Sequence, residues 1–158
     1  MNLSVLLITD DAAISELLAG VLFSRRFDVT TVVGTEEALQ AITANPPHIV
    51  VLDLPGPQVD GRDTCRAIRL ASNVPILVLS ALNEPSIVAR MLDSGADDYL
   101  VKPVPVSVLI AHLRKLARRT GALGLDHPEP AEWIQDTQPQ FPDSAGRGLS
   151  SQSSSRLE

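Results

Sequence analysis

A run of four branched apolar residues that stops at an aspartate most restricts how this chain can fold. The run covers residues 49–52, and Asp53 follows directly. A continuous apolar run suits a strand covered on both faces, as in a parallel sheet. Pro55 and Pro57 keep the following turn from being helical. We expect Asp53 at the carboxyl end of a buried strand, where open α/β sheets build their sites, although an aspartate there also serves as a simple turn residue.

The rest of residues 1–119 alternates between strand-like and helix-like patterns. Four further strands are predicted at residues 5–8, 29–33, 76–79 and 99–101. Five helices are predicted at residues 14–22, 35–42, 65–70, 87–92 and 107–119. Thr35 is expected to cap the second helix and Gly95 to end the fourth. Five β–α units joined by right-handed crossovers predict a parallel sheet with helices on both faces.

Composition and charge exclude several classes of protein. The single cysteine, Cys65, rules out an intrachain disulfide framework. A formal net charge of -6 gives no support to a nucleic-acid-binding surface. We see no apolar stretch of membrane-spanning length and no charged region before the first apolar run, so we expect no membrane partner. A reducing, cytoplasmic setting, which we expect, fits the single cysteine but is not required by it.

Residues 120–158 differ in composition from the part before them. They hold four of the twelve prolines, a serine cluster, six acidic side chains and two basic ones. Because they lack a periodic apolar pattern, we expect a mostly disordered acidic tail or linker. The stretch PAEWIQ could form one short docking turn, since Trp133 and Ile134 are costly to leave in water.

Polar residues follow four of the predicted strands: Asp10 and Asp11, then Asp53, Ser80 and Lys102. The carboxyl ends of parallel strands share one edge, where three carboxylates repel each other unless a hard cation such as Mg²⁺ offsets them. An aspartate can accept a phosphoryl group, and a hydroxyl and a lysine can bind the phosphoryl oxygens. Each residue also has a structural alternative: the first two acids could cap a helix, the serine could simply end its strand, and the lysine could be solvated.

Four stretches, VLLITDD, IVVLDLPGPQVDG, VPILVLSA and GADDYLVKPV, resemble in order and spacing the receiver domain of bacterial two-component response regulators. The resemblance covers residues 3–119, so that 1–119 would be the receiver domain. It implies a flavodoxin-like, CheY-like fold, a doubly wound five-stranded parallel sheet with strand order 2-1-3-4-5 and helices on both faces. In such a fold the site lies where the strand order reverses.

The resemblance also implies the metal and the phosphoacceptor. Asp53 would receive a phosphoryl group from a sensor histidine kinase. Asp10, Asp11, Asp53 and the backbone carbonyl of Pro55 would bind Mg²⁺. The chain would not be an enzyme, but a phosphoacceptor that assists its own phosphorylation.

The remaining site residues follow from the same resemblance. Ser80 and Lys102 would hold the phosphoryl oxygens, and Ser80 and Tyr99 would form the switch. Two positions that tune dephosphorylation in the family hold Pro55 and Leu82. Neither side chain can orient an attacking water, so we expect slow self-hydrolysis.

GADDYLVKP and the closing Arg118–Arg119 are similar to the OmpR-type branch of transcription factors. That branch dimerises through helix four, strand five and helix five, using three ion pairs between subunits. The matching positions here are Asp97 with Arg119, Asp98 with His112, and Val88 with Val108. A histidine replaces arginine in the second pair, and both members of the third are apolar. The two valines either result from sequence drift and have no role, or they form an apolar contact between subunits on the same two-fold face.

The output of the predicted switch stays open between two interpretations. OmpR-type proteins continue into a DNA-binding domain, and the 39 residues after Arg119 are too few for one. The chain is therefore either truncated before an effector domain that regulates transcription and contacts DNA, or a stand-alone receiver. A pseudo-receiver that serves as an interaction scaffold is the alternative function. Two other classes are disfavoured. A flavin carrier would need space for a phosphate where TDDAA places carboxylates. A haloacid-dehalogenase-type phosphatase would need a general acid at the position that Pro55 occupies.

Overall fold

The computed structural model describes residues 2–57 and 59–122, in which five strands alternate with five helices. The strands are β1 (Leu3–Ile8), β2 (Phe27–Val32), β3 (Ile49–Asp53), β4 (Ile76–Ser80) and β5 (Asp98–Val101). The helices are α1 (Ala12–Phe23), α2 (Gly34–Ala44), α3 (Arg62–Ala71), α4 (Pro85–Asp93) and α5 (Val106–Arg119). Every strand and helix predicted from the sequence is confirmed, with shifted ends. The predicted disorder beyond residue 122, and the docking turn at Trp133, lie outside the described residues.

The five strands form one sheet, and all neighbouring pairs are parallel. Their order is β2-β1-β3-β4-β5, which confirms the flavodoxin-like topology expected from the sequence. In the register, Leu52 lies between Ile8 of β1 and Val78 of β4, and Ser80 lies beside Val101 of β5. The carboxyl ends of these four strands are thereby brought to one edge of the sheet, as the site hypothesis requires.

The apolar run of β3 is continuous because both faces of the sheet are covered. Ile49 and Val51 pack into a cluster with residues of α1 and α5. Val50 and Leu52 pack into the opposite cluster with residues of α2, α3 and α4. Each fully buried side chain of this kind contributes roughly 1.5–3 kcal/mol to folding. The central strand is thus fixed from both sides, and its last residue is held in place with it.

Helix ends correct one sequence prediction, confirm another, and show the helix-capping alternative for Asp11. Thr35 does not cap α2, because the helix begins at Gly34 and Thr35 already lies in its first turn. The amide of Val33, the residue before α2, donates instead to Glu37 Oε2 at 3.0 Å. Asp11 caps α1, accepting hydrogen bonds from two backbone amides through Oδ1. Gly95 ends α4 as expected.

Gly95 ends α4 with a positive φ of 116°. The amide of Ala96 then reaches back to the Met91 carbonyl, and that of Gly95 to the Leu92 carbonyl. This is the hydrogen-bond pattern of a helix end closed by a left-handed residue. A Cβ at this position would lie 3.1 Å from Cβ of Arg69, so both backbone angle and space favour glycine.

We expect Gly95→Ala to lower the free energy of unfolding by about 1–3 kcal/mol, the cost of a strained backbone. Gly20→Ala is the matched control, because Gly20 lies inside α1 and a Cβ there meets no atom within 4 Å. The control should raise stability by about 0.5–1 kcal/mol, as alanine does in a helix. Urea denaturation measures both, and changes of the same sign would contradict the assignment.

Candidate functional site

Asp53 is a buried carboxylate at the end of β3. The residue is only 3% exposed. Its Oδ2 accepts a hydrogen bond from the Thr9 hydroxyl at 2.9 Å, and its Oδ1 forms an ion pair with Lys102 Nζ. The Lys102 ammonium is the one polar partner of Oδ1 among the described residues. A buried charge is costly unless paired, so this carboxylate depends on its two polar neighbours.

Lys102 follows β5 and reaches across the sheet edge to the end of β3. Besides facing Asp53, its Nζ donates to the Leu54 carbonyl at 3.1 Å. Its backbone amide donates to the Ser80 carbonyl at 2.8 Å, which fixes where the side chain begins. The lysine is therefore held in the site rather than solvated.

Asp10 and Pro55 line one cleft together with Asp53. Asp10 and Asp11 are both exposed, but Asp11 does not line the cleft, and its Oδ1 is used to cap α1. Across residues 2–57 and 59–122, no three acidic, histidine or cysteine side chains form a ready-made metal cluster. Mg²⁺ needs only one or two carboxylates beside carbonyl and water oxygens. The oxygen donors that line the cleft, the carboxylates of Asp10 and Asp53 and the carbonyl of Pro55, are of the kind that fits such an ion.

Ser80 and Tyr99 share one partner in the loop after β4. Ser80 is buried, and its Oγ accepts the Leu82 amide at 3.2 Å. The Tyr99 hydroxyl donates to the Leu82 carbonyl at 2.6 Å. Both side chains also line one cavity with residues of α4. The loop at Leu82 thus connects the strand-end hydroxyl to the aromatic residue of β5.

Thr9 is a site residue to which sequence reasoning gave no role. It is 4% exposed, and beside donating to Asp53 it accepts the Asp11 amide at 3.2 Å. The signal in the sequence was a hydroxyl placed between an apolar strand and two acids. That signal is weak, because threonine is common in strands for reasons of packing alone.

Asp97, expected to pair with Arg119 across a subunit interface, is engaged within its own chain. Its Oδ2 lies 2.7 Å from Arg69 and accepts the Ile76 amide at 2.8 Å. Arg69 also donates to the Gly95 carbonyl, which joins α3 to the end of α4. Arg119 lies exposed in the last turn of α5.

Asp98 also finds its partners within its own chain. His112 Nδ1 lies 2.5 Å from its carboxylate and Lys115 Nζ lies 2.9 Å away. Burial disfavours the charged carboxylate, but hydrogen bonds from His112 and Lys115 outweigh burial and lower the pKa of Asp98. The two valines of the expected face differ in exposure: Val88 on α4 is half-buried and Val108 on α5 is 39% exposed.

The strand order places the chain among the flavodoxin-like α/β proteins, and comparison with known proteins identifies its family. The family model described as "Response regulator receiver domain" matches residues 5–114. The chain therefore belongs to the response regulator receiver domain family of two-component systems.

Two curated relatives carry names of regulators of transcription or DNA binding. The chain is similar to the DNA-binding response regulator MtrA of Mycobacterium tuberculosis H37Rv, with 37% identity over 85% of this chain and 56% of the relative. It is also similar to the transcriptional regulatory protein AfsQ1 of Streptomyces coelicolor, with 41% identity over 73% of this chain and 52% of the relative. The chain spans about half the length of these curated relatives.

Solved structures show the same fold. The receiver domain of the Francisella response regulator 1452 superimposes with a TM-score of 0.69 at 32% identity, covering 75% of this chain and 99% of that one. Within the described part of the chain, every helix is too short or too polar to cross a bilayer.

The lowered pKa of Asp98 predicts a loss of stability in acid. A carboxyl group whose pKa is lowered by folding stabilises the protein at pH values above its pKa in the unfolded chain, about 4. This stabilisation is lost as the pH falls through the pKa of the group in the folded protein. Asp98→Asn should therefore lose less stability than the wild type between pH 7 and pH 3, by about 1 kcal/mol or less. Urea denaturation at several pH values measures this. Asp63→Asn, at a 95% exposed carboxylate, is the control and should behave as the wild type.

Proposed function

We propose that this chain is a phosphorylation-controlled switch that receives a phosphoryl group on Asp53 from a sensor histidine kinase. The observation that carries the proposal is the buried Asp53 carboxylate facing Lys102 at the carboxyl edge of the sheet. Membership of the receiver family supports the same role. The proposed setting is the cytoplasm, where kinase domains of such systems would meet it.

The chemistry assigned to the site is a displacement at phosphorus. A carboxylate oxygen of Asp53 forms the new bond, and the bond from phosphorus to the donor breaks with its electron pair leaving on the donor. Lys102 and the Ser80 hydroxyl bind the transferred oxygens, whose charge they offset. No proton has to be removed from the attacking carboxylate.

Asp10, Asp53 and the backbone carbonyl of Pro55 would hold Mg²⁺, and Asp11 retains one carboxylate oxygen that the helix cap does not use. The ion would supply positive charge to the phosphoryl oxygens. Asp10 and Asp11 are exposed, which suits an ion that keeps several of its waters.

Leu82 connects the phosphoryl group to the signalling surface in this proposal. When Ser80 turns to the phosphoryl oxygens, its Oγ leaves the Leu82 amide, and the loop that also holds the Tyr99 hydroxyl rearranges. The surface of α4, β5 and α5 changes as a result. To change the ratio of the active to the inactive conformation from 1:99 to 99:1, phosphorylation must stabilise the active one by about 5.5 kcal/mol relative to the other.

The proposed output is dimer formation through α4, β5 and α5, with transcription controlled through a DNA-binding domain such as the relatives' names indicate. Asp97 and Asp98 are already paired within the chain, so their ion pairs are less available to a second subunit. Val88 and Val108 then supply an apolar contact in place of the third pair.

The first prediction from this proposal concerns phosphate gain. With acetyl phosphate and Mg²⁺, the wild type should gain the mass of one phosphate, whereas Asp53→Asn should gain none. Chelation of the metal should prevent the gain, and Lys102→Ala should reduce its rate at least about tenfold, the effect of one charged contact. A wild type that gains no phosphate would indicate the unphosphorylated scaffold instead.

A second prediction concerns the dimer face. Val108→Glu should weaken the dimer of the phosphorylated protein about tenfold or more, because it places a charge in an apolar contact. Adding Val88→Lys to that variant should restore part of the affinity through an ion pair. Leu70→Glu is the control, since Leu70 is 91% exposed and lies on α3, which is not one of the three elements of this face. Sedimentation at several concentrations measures the affinity, and an unchanged value for Val108→Glu would remove the valines from the interface.

A further inference from the structure

The Thr9 hydroxyl is oriented by its neighbours toward the phosphoacceptor. The Asp11 amide, which can only donate, points to Thr9 Oγ1 at 3.2 Å. The hydroxyl must accept that bond, so its own proton is free to be donated to Asp53 Oδ2 at 2.9 Å. Asp11 is itself fixed as the cap of α1. A hydrogen-bonded path, part-buried at Asp11 and buried at Asp53, therefore runs from the start of α1 to the Asp53 carboxylate.

The two oxygens of Asp53 are made unequal by this arrangement. Oδ2 accepts the Thr9 hydroxyl, whereas Oδ1 faces the Lys102 ammonium. Oδ1 can form a bond to phosphorus while the Thr9 hydrogen bond to Oδ2 stays in place. Lys102 can then move from Oδ1 to the phosphoryl oxygens. The structure assigns the attack to Oδ1 and leaves Oδ2 as the oxygen that Thr9 holds.

We infer that Thr9 is a positioning residue that shortens the lifetime of the phosphorylated state, an inference that rests on the proposed phosphorylation of Asp53. A hydroxyl binds a charged carboxylate more strongly than a neutral carbonyl. Once Oδ1 carries the phosphoryl group, Oδ2 becomes a carbonyl oxygen of an acyl phosphate. The Thr9 hydrogen bond is therefore stronger before phosphorylation than after it, and it favours return to the carboxylate.

The step that Thr9 assists is hydrolysis of the acyl phosphate. The oxygen of a water molecule bonds to phosphorus, and the bond between phosphorus and Oδ1 breaks with its electron pair returning to Asp53. The protons of the water go to inorganic phosphate and solvent. Negative charge develops on the carboxylate in the transition state, where the Thr9 hydrogen bond strengthens and lowers the barrier.

Removal of the hydroxyl tests the inference. Thr9→Val keeps the shape of the side chain and should slow the loss of phosphate about threefold to tenfold, the effect expected from part of one charge-assisted hydrogen bond. Phosphorylation by acetyl phosphate should be no slower. Thr9→Ser restores the hydroxyl and should return the decay to within about twofold of the wild type. Thr31→Val is the control, since it removes a threonine hydroxyl from the neighbouring strand that contacts Ser15 rather than Asp53.

The outcomes separate the two proposals. A phosphorylated wild type whose decay matches that of Thr9→Val, or a folded Thr9→Val that gains no phosphate, overturns the role of Thr9 alone. A wild type that gains no phosphate overturns the proposed function and the role of Thr9 with it. Thermal unfolding establishes that the variants are folded. If Thr9→Val does not fold, Thr9→Ala takes its place.

A second measurement needs neither metal nor phosphate. In urea denaturation, Thr9→Val should lower the midpoint more in the wild-type background than in the Asp53→Ala background, because only the former contains the hydrogen-bonded partner. The difference between the two isolates the contact between Thr9 and Asp53. Equal effects in both backgrounds would overturn the inference.

Discussion

The ion pair between Asp53 and Lys102 is the interaction on which the site depends. Asp53 is almost fully buried at the end of a strand whose other residues are apolar, so its charge has little help from solvent. A buried carboxylate without partners would be protonated or would destabilise the fold. Lys102 and Thr9 supply the compensation, one at each carboxylate oxygen. A site of this kind is stable enough to fold and keeps a carboxylate in the cleft that Asp10 and Pro55 also line.

The sheet brings these partners together. β3 is central, with β1 on one side and β4 and β5 on the other, so residues that follow four different strands reach one edge. The apolar clusters on both faces hold each strand in register. Because side-chain direction alternates along a strand, a slip by one residue would turn Asp53 away from its partners. The same burial that stabilises the fold therefore also sets the geometry of the site.

On the surface formed by α4, β5 and α5, the acidic side chains form their ion pairs chiefly with residues of the same chain. Asp97 connects β4 and β5 to Arg69 of α3, and Asp98 connects β5 to His112 and Lys115 of α5. These contacts stabilise the surface that the switch is proposed to remodel. Leu82 lies between this surface and the Asp53 site, because both Ser80 and Tyr99 bind its backbone. A movement of that loop reaches both regions.

The succession of strands and helices could be predicted from the sequence, because apolar runs and helical periodicity are local properties of the chain. The sequence also indicated that Asp53 and Lys102 would meet, since parallel strands align their carboxyl ends. The sequence did not show that Glu37, and not Thr35, accepts a backbone amide at the start of α2. That outcome depends on whether the helix begins before or after Thr35. Nor did the sequence show that Asp97 would be taken by Arg69, or that Thr9 would hold Asp53 across 44 residues of chain. Those contacts join segments that are distant in the chain, so they depend on how the strands and helices pack and not on any local pattern.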